Sequence, residues 1–133
     1  MWSFLLSIVL LEEKLMKRFN SLKNTSEFDE VYKNGKSYAN KYLVMYVLKK
    51  ENPNGKCRIG ISVSKKVGNS VVRHRLVRLV RESYRLNECR FNSSLNMVIV
   101  LRTSAKDKTF HEIESAFLHL CRKHKILREM EQL

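Results

Sequence analysis

The residues best suited to binding chemistry form one run, KKVGNSVVRHRLVRLVRESYR, between Lys65 and Arg85. This run contains seven Lys or Arg residues and a single acid, Glu82. Cationic side chains hold phosphate, and Arg does so with a fork of N–H donors that matches phosphate oxygens. The run therefore predicts a binding site for a polyanion. No catalytic residue is predicted, because local spacing suggests no Ser-His-Asp or Cys-His arrangement and no carboxylate cluster for Mg²⁺.

The whole chain carries the same excess of positive charge. Among 133 residues, 26 are Lys or Arg and 13 are Asp or Glu, which gives a formal net charge of +13. Such an excess raises the local concentration of polyanions; nucleic acid is the favoured partner, and an anionic membrane surface is the alternative. With 44% hydrophobic residues, four Gly and one Pro, the chain can build one folded domain.

The segment before Ser70 predicts a phosphate-binding site at the N-terminus of a helix. Free backbone N–H groups and the helix dipole favour an anion at this end. The residues that would border it are Lys65, Lys66, Gly68 and Asn69. The segment does not match the GxxxxGK[ST] loop of nucleotide hydrolases, so that class of enzyme is excluded.

The charged run separates into faces when it is placed on a helix with about 100° per residue. One arc of this helix is apolar and predicts the side that packs on a sheet: Val72, Leu76, Leu79, Val80 and Ser83. The opposite side is basic and is expected to stand clear of the core: His74, Arg78, Arg81 and Arg85, with Arg73 and Arg75 at the edges of the apolar arc. A helix with a merely solvated face would mix charge signs, so the basic side predicts an anionic partner.

Hydrophobic periodicity and turn residues predict the elements that must position this helix. They are a helix from Thr25 or Ser26 to Asn34, a short strand at Ser37–Asn40, strands at Tyr42–Leu48, Arg58–Ser64 and Leu95–Leu101, the basic helix to Leu86, and a last helix at Phe110–Leu127. Thr25 or Ser26 would cap the first helix, and Gly35 would end it in a left-handed conformation. The strands before and after the turn at Asn52–Gly55 are expected to pair as a hairpin. Helices packed on one sheet make the fold class α+β.

Three aromatic residues, Phe28, Tyr32 and Tyr46, suggest a second kind of contact. Beside a basic groove, such rings stack on the bases of a single strand. The alternative is that all three fill the core. Residues of the last helix, His119, Cys121 and His124, raise the possibility of a metal site, but zinc usually takes four ligands of suitable spacing, so no metal site is predicted.

The chain ends and the cysteines bear on boundaries and compartment. The apolar run Phe4–Leu11 is shorter than the ~20 residues that a membrane span requires. Because Met16 is followed by two basic residues, the domain is expected to occupy residues 16–128, with residues 1–15 an extension or a mis-assigned start and 129–133 a tail. The chain has three cysteines, a small and odd number that argues against a framework of disulfides. This number favours a reducing, cytoplasmic setting.

The run GISVSKKVGNSVVRHRLVRLVRE, from Gly60 to Glu82, closely resembles the signature of the bacterial ribonuclease P protein subunit, roughly SKKxGNAVxRNRxKRxxRE. The family's opening L…F..V…G pattern is similar to Leu22, Phe28, Val31 and Gly35, and the resemblance extends from about Met16 to Leu127. Two positions depart from the signature: His74 replaces Asn, and Val77 replaces Lys.

The resemblance implies an α-β-β-β-α-β-α sandwich like the second domain of ribosomal protein S5, with a left-handed βαβ crossover. It implies a protein that binds ribonuclease P RNA and precursor tRNA, whose 5′ leader is removed by hydrolysis that depends on Mg²⁺ held mainly by the RNA. By resemblance, the basic helix and its entry face the catalytic RNA: Lys65, Lys66, Gly68, Asn69, Arg73, His74, Arg75, Arg78 and Arg81. The leader cleft would be lined by Phe28, Tyr32, Tyr46, Ser62 and Ser64. The alternatives are an RNA-binding module without enzymatic association, such as a ribosome-associated protein, and a membrane-surface protein, although no stable membrane association is expected.

Overall fold

The computed structural model describes residues 21–52 and 55–128. The predicted extension at 1–15, the tail at 129–133 and part of the turn after Asn52 lie outside these residues, and so does the proposed domain start near Met16. In chain order the elements are α1 (Thr25–Asn34), β1 (Lys36–Ala39), β2 (Leu43–Lys49), β3 (Arg58–Ser62), α2 (Ser70–Asn87), β4 (Leu95–Leu101) and α3 (Phe110–Lys123), with short 3₁₀ helices at Glu88–Arg90 and Thr103–Ala105. This is the predicted α+β order.

The four strands form one sheet in the order β1-β2-β4-β3. β1, β2 and β4 are antiparallel neighbours, whereas β3 pairs with β4 in parallel, and α2 is the crossover between them. The predicted hairpin of the second and third strands is therefore wrong, because β4 lies between them. β4 takes the central place because nearly every one of its side chains is buried, on both faces of the sheet. The left hand of the crossover stays a prediction.

The two faces of the sheet are covered by different helices. Alternate residues of β4 point to opposite sides. Met97 and Ile99 join the larger core, which includes Leu76 of α2 and Phe117 of α3, whereas Val98 joins a smaller cluster with residues of α1. The basic helix and the aromatic helix thus lie on opposite faces of one sheet.

The first helix begins and ends for reasons that differ from the predicted ones. Its cap is Asn24, whose side chain accepts from the Glu27 N–H at 3.0 Å, rather than Thr25 or Ser26. Gly35 follows the helix in extended conformation, with φ −81° and ψ 160°, so no left-handed cap forms. Glycine is required here by close approach, because a Cβ at this position would lie 2.5 Å from the Val31 carbonyl oxygen and 3.0 Å from that of Val47.

Gly35→Ala is therefore expected to lower the free energy of unfolding by about 1–3 kcal/mol, as overpacking does in a close-packed interior. The contacting atoms belong to the backbone and cannot rotate away. Urea unfolding measures the change, with Lys33→Ala on the exposed side of α1 as the control. Equal stability of Gly35→Ala and the wild type would contradict the close-approach argument.

The last helix is shorter than predicted and ends at Lys123. Lys125 has a positive φ of 57°, which turns the chain out of the helix, and Leu127 forms an isolated bridge with Phe91. The His124 Nε2 lies 2.9 Å from the Met45 carbonyl oxygen, and burial lowers the pKa of this imidazole. The chain after α3 is thus fixed to strand β2.

Candidate nucleic-acid interface

Helix α2 is seated on the sheet by its apolar side, as predicted. The side chain of Asn69 caps the helix by accepting from the Val72 N–H at 3.0 Å. Leu76 and Val80 are fully buried, and so is Tyr84, whose hydroxyl donates to the Cys57 carbonyl oxygen at 3.2 Å. Burial raises the pKa of Tyr84 far above its ordinary value, so this hydroxyl stays protonated as a donor. These contacts fix which side of α2 faces outward.

The entry to α2 and part of its outer side form an exposed basic surface. Lys65, Lys66, Asn69, Arg75 and Arg78 are exposed, whereas Gly68, Arg73 and His74 are half-buried. Gly68 lies against the helix, since a Cβ there would lie 2.7 Å from the Val72 Cγ1 atom. The structure therefore brings the predicted residues of this surface together around the first two turns of α2.

Arg81 does not stand clear of the core as predicted. Its side chain is half-buried, and burial lowers the pKa of its guanidinium. Its Nε and Nη1 atoms are buried without a hydrogen-bond partner in the described part of the chain, as is Nε of Arg73. A helical projection gives the direction of each side chain. It cannot show that residues from other parts of the fold cover a long side chain such as that of Arg81.

Arg85, on the predicted basic side, is neutralised within the helix. Its guanidinium contacts both carboxylate oxygens of Glu82, three residues earlier, and that contact is the main cause that lowers the pKa of Glu82. The exposed cations of the basic surface therefore lie toward the N-terminal half of α2, and Arg85 stands apart from them.

The aromatic residues lie together between α1 and the sheet, where the leader cleft is predicted. The Tyr32 and Tyr46 rings meet edge to face with centroids 4.8 Å apart, and the Phe28 and Tyr32 centroids are 6.5 Å apart. All three side chains are half-buried against the cluster of Leu22, Val31 and Val98. The rings thus pack on a small core and keep part of their surface exposed.

Strand β3 lies beside α1, next to these rings. Gly60 has no side chain because the Phe28 ring occupies that space; a Cβ would lie 2.5 Å from Phe28 Cζ. Ser62 is half-buried and hydrogen-bonds to Tyr32, whose pKa is raised chiefly by burial. Ser64 lies exposed just beyond the strand, on the way to Lys65.

A salt bridge that sequence reasoning missed holds α1 over the sheet. Arg58 Nη2 of β3 donates to both Glu27 carboxylate oxygens at 3.0 and 3.1 Å and to the Ser21 carbonyl oxygen at 3.1 Å. Glu27 also accepts from the Lys23 N–H at 2.6 Å, the main cause that lowers its pKa. The Asn24-x-x-Glu27 spacing is a capping-box signal and could have located the carboxylate, although not its partner.

Neither a metal cluster nor a membrane span is found in residues 21–52 and 55–128. No group of three or more His, Cys, Asp or Glu side chains there could hold a metal ion. Two residues of the possible metal site on the last helix have other contacts: Cys121 is buried in the core, and His119 contacts Asn40. No helix in the described ranges is long and apolar enough to cross a membrane.

Comparison with known proteins decides the family. The sequence pattern described as Ribonuclease P matches residues 16–125. The chain belongs to the ribonuclease P protein family. It is 61% identical over 111 residues to the ribonuclease P protein component of Lachnoclostridium phytofermentans, covering 84% of this chain and 94% of that relative. The protein component of Alkaliphilus metalliredigens is 49% identical over 112 residues, covering 84% of this chain and 99% of its own length.

Solved structures of the ribonuclease P protein share the fold. The protein from Staphylococcus aureus, in a mutant with defective mRNA degradation activity, superimposes with a TM-score of 0.76 at 31% identity, covering 89% of this chain and 98% of that one. The Thermotoga maritima protein gives a TM-score of 0.69 at 28% identity, covering 77% and 96%. The predicted family and fold class are confirmed, and the chain is the protein component of a ribonucleoprotein endoribonuclease that takes part in tRNA processing.

Proposed function

We propose that this ribonuclease P protein binds two RNA chains at once. The exposed basic residues of α2 and its entry contact the ribonuclease P RNA, and the cleft between α1 and the sheet holds the single-stranded 5′ leader of precursor tRNA. One observation supports this arrangement most: strand β3, beside the aromatic residues, leads directly into the basic surface. Ser62 is hydrogen-bonded to Tyr32, and the exposed Ser64, Lys65 and Lys66 follow at once along the chain.

The proposed mechanism is electrostatic and positional. Two RNA chains repel each other, and a cationic protein surface between them lowers that repulsion and raises their local concentration. Mg²⁺, held mainly by the RNA, supplies the hydrolytic chemistry, and the residues of this chain bind and orient the leader. No residue of the protein is assigned a catalytic role.

Arg73 and Arg81 have a distinct place in this proposal. Their buried N–H groups have no acceptor among the described residues, at a cost of about 1–3 kcal/mol each, and the exposed part of each guanidinium is proposed to bind a phosphate oxygen. Of the two departures from the family signature, His74 is half-buried next to Arg73 and can still donate a hydrogen bond to phosphate. Val77 has no charge, so we propose that the neighbouring cations of α2 bind the RNA at this position.

The cytoplasm is the proposed compartment. All three cysteines, Cys57, Cys89 and Cys121, are free thiols, as expected where the surroundings are reducing. Precursor tRNA and ribonuclease P RNA would both meet the protein there.

Reconstituted cleavage tests the proposal directly. Ribonuclease P RNA is combined with labelled precursor tRNA at a low Mg²⁺ concentration, with and without the full chain, and release of the leader is followed. Addition of the chain is expected to raise the cleavage rate, and the chain without RNA is expected to give none. Binding to RNA without any stimulation would instead favour an RNA-binding module such as a ribosome-associated protein.

A further inference from the structure

A second group of cations lies at the β1 edge of the sheet, away from the predicted sites. Two tyrosine rings there each hold two lysines by cation–π contact. The Tyr38 ring centroid lies 5.4 Å from Lys36 Nζ and 6.0 Å from Lys123 Nζ. The Tyr42 ring centroid lies 5.4 Å from Lys108 Nζ and 5.8 Å from Lys41 Nζ. These six residues are called the edge surface below.

The charges of the edge surface are not balanced by acids. Among residues 21–52 and 55–128, the salt bridges join Glu27, Glu30 and Glu82 to other cations, and none reaches the four lysines. Each ring has two ammonium groups within 6.0 Å of its centroid, and like charges placed around one ring repel. A cation–π contact at an exposed site is stabilising by only about 0.5–1 kcal/mol. An anionic partner would relieve this repulsion.

The backbone beneath the edge surface is held by several hydrogen bonds. Arg102 Nη1 donates to the Asn40 carbonyl oxygen at 2.8 Å, and Asn40 Nδ2 donates to the Ala116 carbonyl oxygen at 2.9 Å. The Asn40 side chain also accepts from the Leu43 N–H at 3.0 Å. Strands β1 and β2 and helix α3 therefore keep the two rings at fixed places, so the lysines are presented on an ordered support.

The edge surface is also joined to the basic surface of α2. Arg75 Nη2 donates to the Lys108 carbonyl oxygen at 2.9 Å, and the ammonium of the same Lys108 lies over Tyr42. Lys41, the other cation at Tyr42, follows strand β1, which carries Lys36 and Tyr38. Positive charge therefore runs from the first turns of α2, past the start of α3, to the free edge of the sheet.

We infer that the edge surface binds the phosphate backbone of a further RNA segment, separate from the contacts of α2 and the cleft. Lysines that cover the tyrosine rings are placed to meet phosphates, so the contact is expected to be independent of base sequence. The inference rests on the proposed function only in taking this segment from the RNA that α2 already binds. Another explanation of lysines at an edge strand is that they prevent pairing between copies of the sheet.

The test compares variants with equal loss of charge. Lys36→Gln/Lys123→Gln removes the cations around Tyr38, and Lys56→Gln/Arg128→Gln removes two exposed cations from a different surface, beside Cys57 and Phe91. Affinity for ribonuclease P RNA is measured over a range of salt concentrations. The edge variant is expected to give a slope of log affinity against log salt shallower by about one for each lysine. The control variant is expected to keep the wild-type slope.

Amine acylation of the wild-type protein gives a second measurement that needs no variant. In the complex with ribonuclease P RNA, the four edge lysines are expected to be protected, and Lys56, on the other side of the sheet, is expected to stay reactive. Unprotected edge lysines together with an unchanged slope would overturn the inference, and self-association of the edge variant in the same case would assign the lysines to edge protection. A wild-type chain that neither binds nor stimulates the RNA would instead refute the proposed function.

Discussion

Arg78→Ala is expected to weaken binding to ribonuclease P RNA about 10- to 150-fold, the range for loss of a hydrogen bond to a charged group. The fold should stay intact, because Arg78 is exposed on α2 while the apolar side of the helix is seated in the core. Filter binding at fixed salt measures the affinity, and urea unfolding measures the stability. Loss of folding in this variant would make Arg78 a structural residue.

Arg85→Ala is the matched control for this prediction. It removes the same side chain and the same charge from the same helix, but nearer the C-terminal end of α2. Glu82 interacts electrostatically with both arginines and is hydrogen-bonded to Arg85. If net charge alone governed binding, the two variants would weaken it equally. A much smaller effect of Arg85→Ala would show that position on the helix decides the contact.

Tyr46→Leu is expected to weaken binding of precursor tRNA to the holoenzyme by about 5- to 150-fold, since base–aromatic stacking contributes about 1–3 kcal/mol per base. Leucine retains apolar volume against the Tyr32 ring but has no aromatic face. The measurement is the affinity of the reconstituted holoenzyme for precursor tRNA with a leader of several nucleotides.

Two controls separate leader binding from a general loss of structure. Tyr46→Phe keeps the ring and should bind like the wild type. Mature tRNA, which has no leader, should bind equally to the wild type and to Tyr46→Leu. Equal weakening for both RNAs would remove Tyr46 from the leader cleft and return it to the core.

The sequence was informative wherever one element could be judged by itself. The bounds of β4, the end of α2 to within one residue and the buried side of the basic helix follow from hydrophobic periodicity, which acts within a few positions of the chain. The order of the strands does not. Adjacent strands suggested a hairpin, yet the run at Leu95–Leu101 is apolar on both faces and competes better for the central place.

The environments of side chains also divide into those that nearby sequence predicts and those that depend on tertiary packing. Composition and spacing determined that this chain has a family signature and a basic helix with one apolar side. Each of these features depends only on residues that are close together in the sequence. Only the tertiary structure decided that Arg81 is half-buried, that Gly35 fits against two carbonyl groups, and that the edge lysines share tyrosine rings. Each of these depends on residues far apart in the chain, and their meeting is fixed by how the sheet and helices pack rather than by any short stretch of sequence.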